Sequence, residues 1–170
     1  QAVDDILDNG ISDHESLAPK PRALTGTAFY FFNVKLFAQL ARALGRNDDA
    51  VETEAAGSRI QAAFNRKFLQ PGSGRYDIAS QACQAFALYH GLVPADEQSR
   101  AVEVLTRDIA AHDGHLTTGI FGTKYLLHAL AEAGRDPREI TGFIHGTTLA
   151  TNALIERRGA NVATVTTEGF

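Results

Sequence analysis

The chain has 170 residues, 44% of them hydrophobic and 21% charged, which is enough apolar material for one core of ordinary domain size and not the composition of a disordered segment. Its formal net charge of -4 excludes the cationic surplus that holds polyanions, so nucleic acid is not an expected partner. The longest purely apolar runs, such as Ala28 to Phe32, fall far short of the roughly 20 residues that cross a bilayer, so no membrane span is expected.

Residues 1–18 carry the turn formers Asn9-Gly10, Ser12-Asp13 and, just beyond, Pro19, with no sustained period, and read as a loop entering a helix. From Thr25 to about Leu44, Phe29, Phe32, Leu36, Leu40 and Leu44 recur at threes and fours, widened by Phe31, Phe37 and Ala41. That spacing predicts a well-buried helix, with Gly45 as its stop. Asn47 is placed to cap a second helix whose first turn holds Asp48 and Asp49 and whose inner stripe includes Ile60, Phe64 and Phe68. Pro71-Gly72-Ser73-Gly74 turns the chain into a third helix over about Ser80 to His90, which buries some of Ala82, Ala85, Phe86 and Tyr89 before Gly91.

Pro94 sits in the expected first turn of a fourth helix, with Val102, Leu105 and Ile109 inward and Asp113-Gly114 at its end. A fifth runs from about Gly119 to Glu132, with Phe121, Tyr125, Leu126 and Leu130 near one side and Gly134 closing it. Short loops between these helices predict stacked antiparallel hairpins. The texture then changes: Asp136-Pro137 begins a helical turn, Thr148 to Arg157 suits a helix and Val162 to Val165 reads as a strand, an α/β pattern.

Cys83 is the only cysteine, so neither an internal disulfide nor a Cys-based zinc site is available, and a reducing, cytoplasmic compartment is compatible. The chain starts at Gln1, holds no Met, and shows no basic-then-apolar leader. These features, with the strand close to Phe170, lead us to expect a piece of a longer reading frame with both ends cut.

Three polar constellations stand out. Ile11-Ser12-Asp13-His14-Glu15-Ser16 gathers two carboxylates, an imidazole and two hydroxyls, as a sugar or acid/base site requires and as solvated helix entries also do. It is not HExxH. His112-Asp113-Gly114-His115 places two imidazoles and a carboxylate together; a metal site and simple capping of the fifth helix by Thr117 or Thr118 both suit the pattern. His145-Gly146-Thr147-Thr148 with Thr151-Asn152 sets a glycine and hydroxyls before a helix, where Thr147, Thr148 and Asn152 would meet a phosphate or merely cap it. Cys83 and His90 lie roughly 10 Å apart along one helix, too far for a thiolate-imidazole pair, and read as packing residues.

Several runs from about Gly10 to Gly134 resemble the catalytic helical domain of bacterial α-L-rhamnosidases, six-hairpin glycosidases with an (α/α)6 barrel. They include Asp13-His14-Glu15-Ser16-Leu17, Leu24-Thr25-Gly26-Thr27-Ala28-Phe29-Tyr30, Ala41-Arg42-Ala43-Leu44-Gly45-Arg46, Ser80-Gln81, and His115-Leu116-Thr117-Thr118-Gly119-Ile120-Phe121-Gly122-Thr123. The resemblance implies inverting hydrolysis that releases terminal α-L-rhamnose, with one carboxylic acid protonating the leaving group and one carboxylate activating water. The family's acid motif, acidic and Arg-containing, and its Trp-Glu base motif do not occur in this sequence, so no catalytic residue is assigned and the chain is expected to be inactive alone. The family commonly has Gly-Asp-Trp where Ser12-Asp13-His14 stands here, which replaces an aromatic platform by an imidazole. Asp13, His14 and His115 are the implied substrate-side residues, and a rhamnose-containing glycoside is the implied partner. No cofactor or metal is expected.

Residues Gly142 to Ala160 and Val165 to Phe170 resemble instead the N-terminal domain of hydantoinase and oxoprolinase A subunits, ATP-dependent enzymes with an actin-like fold, though their Asp-x-Gly-Gly-Thr phosphate loop is missing. The expectation is thus a mainly α chain: a partial (α/α)6 barrel of antiparallel helical hairpins over residues 1–134, joined near Gly134 to Pro137 to a short α/β fragment over 135–170. The join suggests a recombined or fused reading frame. Two other functions stay open, an ATP-dependent hydantoinase or 5-oxoprolinase fragment and a non-catalytic helical module. Incomplete barrel edges are expected to expose apolar faces and favour self-association.

Overall fold

The computed structural model describes residues 2–19 and 21–134. After an irregular N-terminal segment come α1 (Arg22–Ala43) and α2 (Asn47–Phe68), then a ribbon of β1 (Leu69–Gln70) and β2 (Arg75–Tyr76), and then α3 (Gln81–Tyr89), α4 (Gln98–Ala111) and α5 (Ile120–Glu132). Among the described residues the molecule is therefore a set of helices with one two-residue antiparallel ribbon, in the register Leu69↔Tyr76 and Gln70↔Arg75.

α1 and α2 form the first hairpin. Gly45, at φ 72°, takes the left-handed position after the helix that a Cβ disfavours, and Arg46 N–H donates back to Ala41 O at 2.8 Å. The expected stop is where it was placed. Gly57 faces α1 across the hairpin, and a Cβ there would meet Val34 at 3.7 Å and Phe31 at 3.9 Å, ordinary contact. α2 already includes Asn47, so the expected cap is the first helical residue and the N-cap falls on Arg46, with Asp48 and Asp49 in the first turn and no side-chain cap. Its stripe of Ile60, Phe64 and Phe68 is buried.

α3 is the centre of the fold. It packs against α1, α4 and α5, and every residue from Gln81 to Leu88 is buried. Ser80 caps it by accepting the Cys83 N–H. Phe64, Phe86, Leu105 and Leu126, each 0% exposed, join the helices in one core, each contributing roughly 1.5–3 kcal/mol. The ribbon turn is held by Glu97, which accepts the N–H groups of Gly72 and Gly74. Gln84 accepts the Tyr76 N–H at 2.8 Å and donates to Gly74 O at 2.7 Å.

Two expectations need correction. Pro94 precedes α4, which starts only at Gln98; Glu97 N–H closes a turn onto Pro94 O. More consequentially, α1 is not buried all round. It turns Leu24, Ala28, Phe31, Ala38 and Ala41 inward, while Phe32, Leu36, Phe37, Leu40 and Leu44 are 43%, 41%, 54%, 54% and 75% exposed. The small residues permit close packing on α2, and the larger ones are left on the opposite side. No helix among the described residues is long and apolar enough to cross a membrane.

Candidate functional site

The N-terminal segment is laid along the first turns of α1 by the residues of the Leu24–Tyr30 run. Thr27 Oγ1 accepts the Leu7 N–H at 3.0 Å, and Thr25 Oγ1 donates to Ile11 O at 2.9 Å. Gly26 lies against Gly10; a Cβ on Gly10 would sit 2.7 Å from Gly26 Cα. This seating delivers residues 11–18 to the N-terminal end of α5.

Asp13 makes the junction. Its side chain is fully buried, and its two oxygens accept the N–H groups of Gly119 and Gly122 at 2.7 and 2.9 Å. These are donors left free at a helix start, where negative charge is also favoured. Gly119 is the N-cap residue of α5 and has no side chain to cap it, so a residue 106 positions away does so. The expected caps Thr117 and Thr118 do other work: Thr118 Oγ1 pairs with Thr123 Oγ1 at 2.8 Å. A Cβ on Gly119 would collide with His14 O, and one on Gly122 with the Asp13 carboxylate.

A second line of bonds runs parallel. Ile120 N–H donates to His14 O at 2.8 Å, and Thr117 O accepts from Leu17 N at 3.0 Å and Ala18 N at 3.3 Å. Ser16 Oγ donates to Thr117 O at 3.0 Å. From beneath, fully buried Gln81 donates Nε2–H to His115 O at 3.1 Å and accepts the Thr117 N–H at 2.9 Å.

Under this junction lies an aromatic cluster. Phe29 meets Phe86 and Phe121 edge-on at 5.4 and 5.3 Å, Tyr125 meets Phe86 at 5.0 Å and stacks on Tyr89 at 4.3 Å. His90 lies among these rings, 4% exposed, with neither ring nitrogen hydrogen-bonded. Burial, with a smaller contribution from Lys35, pushes its pKa down to about 4. Burial likewise pushes the Cys83 thiol up to about 11. Both behave as the packing residues expected.

The model of the bacterial alpha-L-rhamnosidase 6 hairpin glycosidase domain matches residues 2–140. The chain belongs to this rhamnosidase family. An alpha-L-rhamnosidase of Formosa agariphila is 32% identical over 112 residues, which cover 66% of this chain and 12% of that protein. One of Streptomyces avermitilis is 31% identical over 114 residues, covering 67% and 11%. Among solved structures, the alpha-L-rhamnosidase from Dictyoglumus thermophilum superimposes with a TM-score of 0.75 at 28% identity, over 84% of this chain and 17% of that one. The Streptomyces avermitilis alpha-L-rhamnosidase complexed with L-rhamnose gives 0.72 at 28% identity, over 78% and 13%. The chain thus spans about an eighth of the curated relatives it matches, and its helices are part of a six-hairpin helical barrel.

The two rhamnosidase-like runs around Asp13 and His115 come together in the fold through backbone bonds. The side chains are differently placed. His14 is two-thirds exposed, with Nε2 3.4 Å from Glu15 Oε1. His115 is exposed, and its Nδ1 lies 3.0 Å from its neighbour's carbonyl, His112 O. Asp13 is sealed from solvent, so it acts by holding the loop that carries His14. No group of three or more metal-ligating side chains forms among the described residues; His112 Nδ1 instead faces Asp108 O at 2.8 Å. Thr147, Thr148 and Asn152, with the whole α/β fragment expected over 135–170, lie outside the described residues. The family match runs past Gly134 to residue 140, and these relatives lend no support to a hydantoinase-like piece. In the sequence Gln81 is only part of the Ser80-Gln81 run; like Gln84 it is a polar residue in a mostly apolar helix, and that is the available signal.

Proposed function

We propose that this chain supplies substrate-side surface to a glycoside hydrolase that releases terminal α-L-rhamnose from a rhamnose-containing glycoside by inverting acid/base hydrolysis. The observation that carries this is the Asp13 junction, which ties two of the rhamnosidase-like runs, those holding His14 and His115, to one another at the start of α5. On that rim the exposed imidazoles are offered to sugar hydroxyls, and Asp13 ties the loop that carries His14 to the start of α5. Family membership and the likeness to a rhamnosidase complexed with L-rhamnose support the substrate class.

The 170 residues are not a catalyst by themselves on this proposal. Inverting hydrolysis needs two carboxyl groups roughly 6.5–9.5 Å apart across the bond. Among the described residues the two buried carboxylates, Asp13 and Glu97, are each engaged by backbone N–H groups at a turn or helix start. Without a positioned acid and base, about 10²- to 10⁴-fold per group is missing. Proton NMR titration of the chain with L-rhamnose tests the binding: saturable shifts at His14 and His115 are expected, and a folded spectrum with no shifts refutes it. Release of p-nitrophenol from p-nitrophenyl α-L-rhamnoside by the chain would overturn the inactivity.

Residues 1–134, with the family match extending to residue 140, are on this proposal one portion of the six-hairpin domain, so a chain ending at residue 140 should keep the melting temperature of the full chain. The apolar face of α1 supports self-association between copies; sedimentation velocity at rising concentration should show it, and Leu36→Glu with Leu40→Glu should abolish it.

A further inference from the structure

Gln81 sits on α3, the most enclosed helix, and is itself 0% exposed. A buried primary amide is costly unless both its ends are satisfied. Both are, and neither is used on α3. Nε2 donates to His115 O at 3.1 Å and Oε1 accepts the Thr117 N–H at 2.9 Å, so one planar group grips the two consecutive peptides on either side of Leu116, the pairing a neighbouring parallel strand makes. Thr117, whose N–H meets Gln81, also serves the first loop: its carbonyl oxygen accepts from Ser16 Oγ, Leu17 N and Ala18 N. The order is therefore Gln81, the 115–118 segment, the 16–18 segment, joined by hydrogen bonds throughout.

We propose that Gln81 is the positioning residue that sets the register of both rim loops, and so the spacing of His14 from His115 as a sugar-recognition pair. The inference rests on the rhamnose-binding rim for its functional meaning, while the loop coupling stands on the geometry alone. Asp13 pins the same loops at the start of α5, but it fixes only their junction with that helix. Gln81 fixes how the 115–118 segment lies upon α3, two residues away from the Asp13 contact at Gly119.

The directional demand on Gln81 makes a distinctive test available. Gln81→Glu keeps size and shape. As the neutral acid it can still donate to His115 O and accept from Thr117 N; once ionised it can only accept, and it sets a carboxylate oxygen against a carbonyl. The full chain carrying Gln81→Glu should therefore lose its rim, relative to wild type at the same pH, as pH rises through the titration of the introduced carboxyl.

The first readout needs no ligand. Amide exchange at Thr117, Leu17 and Ala18 in Gln81→Glu should accelerate by about tenfold at the high-pH end relative to wild type, as expected for loss of a buried hydrogen bond, while Phe64 on α2 stays protected. Wild-type exchange rates at Leu17 and Ala18 throughout would overturn the coupling. Equal acceleration at Phe64 would show global loosening and overturn it as well. The second readout is L-rhamnose affinity followed at the His14 and His115 resonances: about tenfold weaker binding in the variant at high pH, recovered at low pH. Equal affinity at both ends sinks the recognition role. If wild type itself binds no rhamnose, the rim function fails, and the exchange arm alone decides whether Gln81 sets the loops.

Discussion

Asp13 offers the sharpest test of how the rim is built. Asp13→Asn preserves the shape of the side chain but replaces one acceptor oxygen by an NH₂ group that must face the N–H of either Gly119 or Gly122, now 2.7 and 2.9 Å from the carboxylate oxygens. One hydrogen bond to a charged group is lost, about 1.5–3 kcal/mol, together with the interaction of a negative charge with a helix start, about 0.3–2 kcal/mol. The burial of Asp13 at 0% exposure leaves water no route to repair the mismatch, so the sum stays near 3 kcal/mol. For a chain of this size that corresponds to a fall in Tm of roughly 10 °C. Urea unfolding followed by far-UV circular dichroism measures it, with Asp96→Asn at an exposed position as a control expected to change stability by less than about 0.5 kcal/mol. A loss under about 1 kcal/mol for Asp13→Asn would show that the two glycine N–H groups do not depend on the carboxylate.

Other consequences follow from the same contacts. Gly119→Ala drives a Cβ into His14 O, whereas Gly45→Ala meets nothing within 4 Å and carries only the cost of φ 72°; thermal melts should place the first well below the second, which loses only about 1 kcal/mol. His90, lowered to about 4 in the fold against roughly 6.5 unfolded, binds its proton less readily when folded, so its stability contribution is full above about pH 6.5 and is lost as pH falls to about 4, up to roughly 3 kcal/mol. Urea midpoints across that window should fall for wild type and fall less for His90→Phe; parallel slopes would acquit His90. Cys83, buried and pushed up to about 11, should react with a thiol-disulfide reagent only at the rate of opening, so rapid labelling of the folded chain would contradict its burial.

The helices and their stops were legible because they are local. Gly45 and Gly91, both with positive φ, are single-residue signals whose meaning does not depend on distant chain. The inward stripe of α2 at Ile60, Phe64 and Phe68 was legible for the same reason, since the rest of that helix is polar enough to leave one face. α1 shows where that logic stops. Apolar residues surround it, and a periodicity argument chooses the widest stripe, Phe32, Leu36 and Leu40; close packing on α2 chooses instead the narrow stripe of Ala38 and Ala41 that lets the helices meet. Which apolar face is buried is decided by the neighbour and not by the helix.

The rim was legible as two separate polar loops and not as one object. Asp13 and His115 were singled out for chemistry they carry as side chains, yet what joins their loops is almost wholly main chain: Gly119 and Gly122 N–H on Asp13, Ile120 N–H on His14 O, Thr117 O under Leu17. Backbone donors carry no residue identity, so a one-dimensional scan sees only the glycines that make room for them. The pairing over 106 positions explains why those glycines stand at 119 and 122 and why an acid precedes His14. Taken singly, each residue has an ordinary local explanation; taken together, an acid with no reason to be in a loop and a helix start with no cap of its own are each other's explanation. The same complementarity identifies Gln81, a buried polar side chain in a mostly apolar helix whose amide meets His115 O and the Thr117 N–H of the facing segment.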